Sequence, residues 1–177
     1  MTKCVLICAT LAITASLTFA QKFQSPAAET TVTVAGKTIT IKYGAPSVHG
    51  RQVFGDGGLV SHDPHYPVWR AGANAATALH TDADLDIQGL HVPAGDYTLF
   101  VNVADPDHWV LIVSKATKEW GLAYNKDMDL GQAKMEMSKP GTPIETYKMT
   151  LSSSGDHKGK LQLEWENHIA AVTFTAK

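Results

Sequence analysis

Residues 31–43 read Thr-Val-Thr-Val-Ala-Gly-Lys-Thr-Ile-Thr-Ile-Lys-Tyr, and their pattern decides the fold class. Thr31-Val32-Thr33-Val34 and Thr38-Ile39-Thr40-Ile41-Lys42-Tyr43 alternate polar and apolar side chains, the period of a strand with one buried face. Gly36 between them supplies a tight turn, so the stretch predicts a β-hairpin. The same rhythm returns in Tyr97-Thr98-Leu99-Phe100-Val101-Asn102-Val103, which is entered through Pro93-Ala94-Gly95-Asp96 and left through Asp105-Pro106-Asp107. Trp109 to Val113 is almost continuously apolar and predicts a central strand covered on both faces. Further strands are predicted at Ala133–Met137, Thr146–Leu151, Leu161–Glu166 and Ile169–Thr175. Beyond residue 20 no apolar repeat of 3.6 residues is sustained. The expectation is an all-β chain forming a single antiparallel, jelly-roll-like β-sandwich of about 8–10 strands in two packed sheets.

Composition narrows the function classes. Fifteen Lys and Arg stand against 17 Asp and Glu, for a formal charge of −2, and there is no basic run. A nucleic-acid surface needs clustered cations, so no nucleic-acid partner is expected. Hydrophobic residues at 44% with charged residues at 18% describe a chain that folds. Lys3, the apolar or small run Cys4–Phe19 and the small residues Thr18 and Ala20 predict a signal peptide over residues 1–20, cleaved after Ala20. The protein is therefore expected to be exported, periplasmic or extracellular, with residues 21–177 as one domain and no transmembrane segment after cleavage. Both cysteines, Cys4 and Cys8, fall in the removed part. The mature chain is then without disulfide partners, and cysteine nucleophiles and zinc–thiolate sites are excluded for it. A domain of about 150 residues buries about 70% of its unfolded surface, enough to hold without cross-links.

One segment breaks the strand rhythm. From Gly44 to Asn74 the alternation stops, and loops of this length in compact domains are usually functional or disordered. Val48, Val53, Phe54, Leu59, Val60, Tyr66, Val68 and Trp69 predict an ordered loop that folds over one end of the sheets. It is Gly-rich, with six of the chain's 14 glycines, and it holds both arginines, Arg51 and Arg70. Arginine is favoured where a planar fork must hold a carboxylate or several carbonyls in fixed geometry. Two readings follow. Each arginine pins the loop to backbone carbonyls or a buried carboxylate, or the pair recognises an anionic or carbonyl-bearing ligand beside Trp69. The candidate ligand-binding set is Arg51, Trp69, Arg70 and Asn74, with His49 and Tyr43.

Four blocks of the sequence carry a resemblance. Ser25-Pro26, Ile41-Lys42-Tyr43-Gly44-Ala45-Pro46-Ser47-Val48-His49-Gly50-Arg51, Trp69-Arg70-Ala71-Gly72-Ala73-Asn74-Ala75-Ala76-Thr77 and Pro93-Ala94-Gly95-Asp96-Tyr97-Thr98-Leu99-Phe100 resemble the signature blocks of the exported bacterial family catalogued as domain of unknown function 2911. The resemblance covers nearly all of the mature chain and implies an exported, mostly β domain. It implies no activity. In the family pattern the Asn is commonly followed by Glu, whereas this chain has Ala75.

The remaining chemical signals are weaker. His62, Asp63 and His65, with His49 or His80 approaching in space, have donors suited to zinc or another divalent ion, although Asp63-Pro64 is itself a turn former. Asp82, Asp84 and Asp86 fail the EF-hand pattern at Ile87 and Pro93 and are expected on the solvent side of a strand. Glu145, Glu164 and Glu166 are candidates for an acid–base pair, and Glu145 also for a partner of Arg51 or Arg70. Most aromatic residues occupy inward strand positions, leaving Trp69 and Trp120 as candidates for stacking on a ligand. Phosphate loops, dinucleotide fingerprints, Gly-x-Ser-x-Gly elbows and His-Glu-x-x-His helices do not occur. The leading expectation is a non-catalytic module binding a small ligand or envelope component, a glycan or peptide for example, without a cofactor. The alternatives are a hydrolase, either metal-assisted through the loop histidines or carboxylate-based, and a structural or protein-interaction domain.

Overall fold

The computed structural model describes residues 25–117 and 123–177. Residues 1–20, where the sequence predicts a signal peptide, and Trp120 lie outside the described residues.

Two antiparallel sheets face each other across one continuous apolar core. The first is ordered β1-β2-β4-β7-β8-β9, built from Ala27–Val34, Lys37–Gly44, Thr77–Thr81, Gly95–Asn102, Val110–Ser114 and Asp129–Lys134, with the two-residue β3 (Val68–Trp69) also on β7. The second is ordered β11-β12-β13-β5-β6, from Ile144–Ser153, Lys158–Glu166, His168–Ala176, Leu85–Ile87 and Leu90–Val92, with β10 (Glu136–Ser138) on β13. The all-β sandwich read from the alternation is the fold observed.

The predicted β1–β2 hairpin is observed, with Val34 opposite Lys37 and the turn at Ala35 (φ 52°) and Gly36 (φ 73°). Its inward residues Val34, Ile39 and Ile41 are almost fully buried. β8 lies between β7 and β9. Its second face is covered in part by the segment after it, where Tyr124 packs edge-on against Phe100 of β7 at 4.9 Å and Ile112 is buried.

The strands are more numerous than predicted, and the added ones are short. β4 went unread because its buried residues are Thr77, Leu79 and Thr81, and two inward threonines hide the apolar rhythm. β5 and β6 have three residues each and turn through Gln88 (φ 52°) and Gly89 (φ 91°). The single strand expected at Ala133–Met137 is two: the chain leaves the first sheet after Lys134 and enters the second at Glu136. Met135, buried between them, donates its N–H to Trp109 O at 2.9 Å. The aspartates are also placed differently, since Asp82 and Asp84 lie in the β4–β5 turn and only Asp86 is in a strand. Asp84 accepts the N–H of Ala94 and so ties the β4–β5 turn to the β6–β7 turn, and Asp86 accepts that of Gly89 and closes the β5–β6 turn.

β3 and β4 pair with the same edge of β7, Trp69 opposite Val101 and Thr77 opposite Leu99. Residues 70–76 are thus an excursion from one interrupted strand. That excursion and the loop before it build one end of the sandwich.

Candidate functional site

The 44–74 loop is ordered by bonds to the second sheet. Ser47 bridges Thr146, Val48 N–H donates to Glu145 O (2.8 Å), and Tyr147 N–H donates to Pro46 O (2.8 Å). Val53, fully buried, donates its N–H to Glu166 Oε1 at 3.0 Å, and a short 3-10 turn at Leu59–His62 buries Val60. Close backbone approach seats the excursion on β2: a Cβ on Gly44 would collide with Ala73 O, and Ala73 N–H donates to Gly44 O at 3.3 Å. Ala71 (φ 51°) and Asn74 (φ 65°) adopt the left-handed conformation, which costs about 1–2 kcal/mol for a residue with a side chain. Local bonds offset that cost. Thr77 Oγ1–H donates to Ala71 O (2.9 Å), Trp69 Nε1–H to Gly72 O (3.0 Å), and Asn74 Nδ2–H to Ser25 O (2.9 Å).

Five of the sequence-selected residues meet on one cleft of about 400 Å³: His62, Asp63, Trp69, Arg70 and Asn74, with Trp165 from β12. Arg70 Nη2–H donates to Asp63 Oδ2 at 2.9 Å, and Nη1–H donates to Asn74 O at 3.3 Å. The Arg70 side chain is 18% exposed and that of Asp63 only 5%, so the pair is largely desolvated while still lining the cleft. Asp63 Oδ1 accepts the N–H of His65, which closes the Asp63-Pro64 turn. The turn is as expected from the sequence, but its carboxylate is buried rather than solvated. His62 Nδ1–H donates to Gly58 O at 3.0 Å.

Arg51, His49 and Tyr43 are elsewhere. Arg51 folds back on its own loop, with Nε–H on Val48 O (3.0 Å) and Nη2–H on Ser47 O (2.7 Å). His49 is beside Glu145, which accepts its backbone N–H at 2.8 Å and lies 3.9 Å from its Nδ1. Glu145 therefore serves His49 in the place suggested for Arg51 or Arg70. Tyr43 is buried and ties the two sheets, since its hydroxyl accepts Met149 N–H (3.0 Å) and donates to Met149 O (3.4 Å). It does not line the Arg70 cleft.

The histidines do not converge. His65 packs edge-on against Tyr124 at 5.9 Å, and His80 is held on β4 between Asp96 (Nδ1, 2.8 Å) and Asp82 (Nε2, 3.1 Å). Among the described residues no group of three or more His, Cys, Asp or Glu could hold a metal ion, so His62, Asp63 and His65 form no coordinating set. Nor do the glutamates pair: Glu164 lies 3.5 Å from Lys148 Nζ, and Glu166 sits in the β12–β13 turn.

Trp69 is not a stacking platform, because it is only 3% exposed and sits in an aromatic cluster. Trp165 stacks on it at 5.8 Å, Tyr147 meets it edge-on at 5.1 Å, and Phe54 lies edge-on to both tryptophans. The Tyr147 hydroxyl is buried without a hydrogen-bond partner among the described residues, and burial holds its pKa well above the usual tyrosine value. The cluster reaches His168, which lies parallel to Trp109 at 5.2 Å and against Phe54 at 4.9 Å. Sequence reading missed His168, since a histidine one residue past a hairpin turn carries no pattern of its own. Ala75, where the family pattern commonly has Glu, is exposed and lines a broader groove together with Glu29 and Lys42.

Over residues 25–174 the chain matches the family model described as "Protein of unknown function (DUF2911)". No curated protein and no solved structure matches it.

Proposed function

The chain belongs to the DUF2911 family, and because that membership assigns no activity we propose its function from the geometry: an exported, non-catalytic ligand-binding module whose site is the cleft beside Arg70. One observation carries the reading. A largely desolvated ion pair, Arg70 with Asp63, lines an open cleft whose floor is aromatic and whose rim offers His62 and Asn74. Small-ligand sites have this composition, an apolar floor with a few placed polar groups. The charge of Arg70 is matched by Asp63, so recognition rests on directed hydrogen bonds, and the ligand class is neutral and rich in carbonyl or hydroxyl groups, a glycan or a peptide. The signal-like first twenty residues support export.

The test is a thermal-shift titration of residues 21–177 with chitotriose and with trialanine. A ligand at about 100 times its Kd stabilises by about 2.7 kcal/mol, a rise of about 5–10 °C for a domain of this size. One class is expected to raise the melt, with the effect reduced in His62→Ala. No shift from either class at millimolar concentration favours the structural or protein-contact alternative.

A further inference from the structure

A second cleft opens on the other side of Phe54. It is about 270 Å³ in volume, and its walls include Phe54, Tyr66, Trp109, Pro106, Asp56 and His168. Tyr66 is one of the few large side chains with an apolar body left exposed, at 38%.

His168 is set into this cleft in a particular way. One ring face lies on Trp109, at an interplanar angle of 16°. Its Nδ1 is buried with no hydrogen-bond partner among the described residues, and Glu166 Oε2 is 3.7 Å away. Glu166 is itself held, because its other oxygen accepts the Val53 N–H and only 15% of the side chain is exposed. It occupies the hairpin turn at φ 52°, a left-handed conformation that favours glycine. A carboxylate facing Nδ1 favours the proton on that nitrogen, as in the carboxylate–histidine pairs that orient imidazoles. Nδ1 is a buried atom of a side chain that is 18% exposed, and with the proton on Nδ1 the neutral ring has Nε2 as its acceptor. Burial holds the His168 pKa below the usual histidine value, against the opposing pull of Glu166 and Asp107 and with that of Lys139, so the ring is neutral at neutral pH.

We propose that this cleft is a binding site for a planar ring compound carrying an N–H or O–H donor, with His168 Nε2 as the acceptor and Tyr66 and Pro106 as apolar walls. The volume suits one fused bicyclic ring. Asp56 at the wall and Glu166 behind the imidazole disfavour anionic rings. The site is separate from the Arg70 cleft, and each proposal stands or falls alone.

Indole and benzofuran test it, because they share shape and differ by one N–H donor. Their Kd values are measured by titration on residues 21–177, with 15N shifts of the His168 ring as the local readout. The expected result is indole binding about three- to tenfold tighter, the worth of one net hydrogen bond, with a shift at His168 Nε2. His168→Phe keeps a ring over Trp109 and removes the acceptor, so the preference should vanish while benzofuran affinity holds. If that variant does not fold, the unmodified protein supplies the second measurement: once acid protonates His168, Nε2 becomes a donor and the preference should disappear. Equal affinities, a preference that survives His168→Phe or protonation, or no binding of either compound at millimolar concentration overturns the proposal.

Discussion

At the scale of single residues, the two arginines show how one amino-acid type serves two ends. Arg51 is exposed and satisfies the carbonyls of Ser47 and Val48, whereas Arg70 reaches a carboxylate that water barely touches. Removing one partner of a desolvated pair leaves the other charge buried, which costs about 3–5 kcal/mol. Arg70→Ala should therefore lower the melting temperature of residues 21–177 by about ten degrees, read by calorimetry. A drop of a degree or less would show that Asp63 finds water once its partner is gone. Both arginines make the carbonyl or carboxylate bonds of a loop-pinning residue, and Arg70 makes them while lining a cleft.

At the scale of elements, turns and interruptions carry more meaning than the strands themselves. The β1–β2 turn places Ala35 at φ 52°, where alanine is strained and asparagine followed by glycine is favoured. Ala35→Asn should stabilise the domain by about 0.5–1 kcal/mol, a rise of about 2 °C, if the hairpin stays in register. A fall in the melt would mean that the Ala35 N–H bond to Asp156 O, which joins this turn to the β11–β12 turn, is disturbed by the longer side chain. The interrupted strand β3/β4 illustrates the other lesson. Trp69 and Thr77 nearly adjoin along β7, and the seven residues 70–76 between them bring Arg70 and Asn74 out to the cleft.

At the scale of the whole molecule, two histidines oppose each other in the pH dependence of stability. The carboxylates of Asp96 and then Asp82 raise the pKa of His80 above 6.5, so its folded form binds the proton more tightly than the unfolded chain. That stabilisation is complete below the unfolded pKa and is lost as pH rises through the folded one. His168 has the opposite sign: burial lowers its pKa, so stability is complete above 6.5 and declines as pH falls through the lowered folded value. His80 is exposed on the outer sheet face, so its pairs are worth below about 1 kcal/mol. Between pH 8 and 5, His168→Phe should flatten the acid-side loss of stability, and His80→Asn should deepen it. Urea melts of both variants across that range check the signs, and an unchanged slope in either would refute its assignment.

The sequence by itself determined the fold class and where along the chain most strands lie, because alternation reports a one-sided strand wherever the inward residues are strongly apolar, as at Val34, Ile39 and Ile41. It also located the irregular segment and five residues that meet on one cleft. Tertiary structure decided the rest. Period two cannot say which sheet a strand joins, so the crossing at Met135 was illegible, and inward threonines hid β4. Whether Tyr43 or Trp69 faces solvent depends on what packs above it, and here the second sheet and the aromatic cluster do. The pairing of Arg70 with Asp63 is made within one loop that has no periodicity, and the placing of His168 beside Phe54 and Trp109 joins segments far apart in the chain. Side-chain partners of that kind are set by the packing of two sheets and a loop, which only the folded chain brings together.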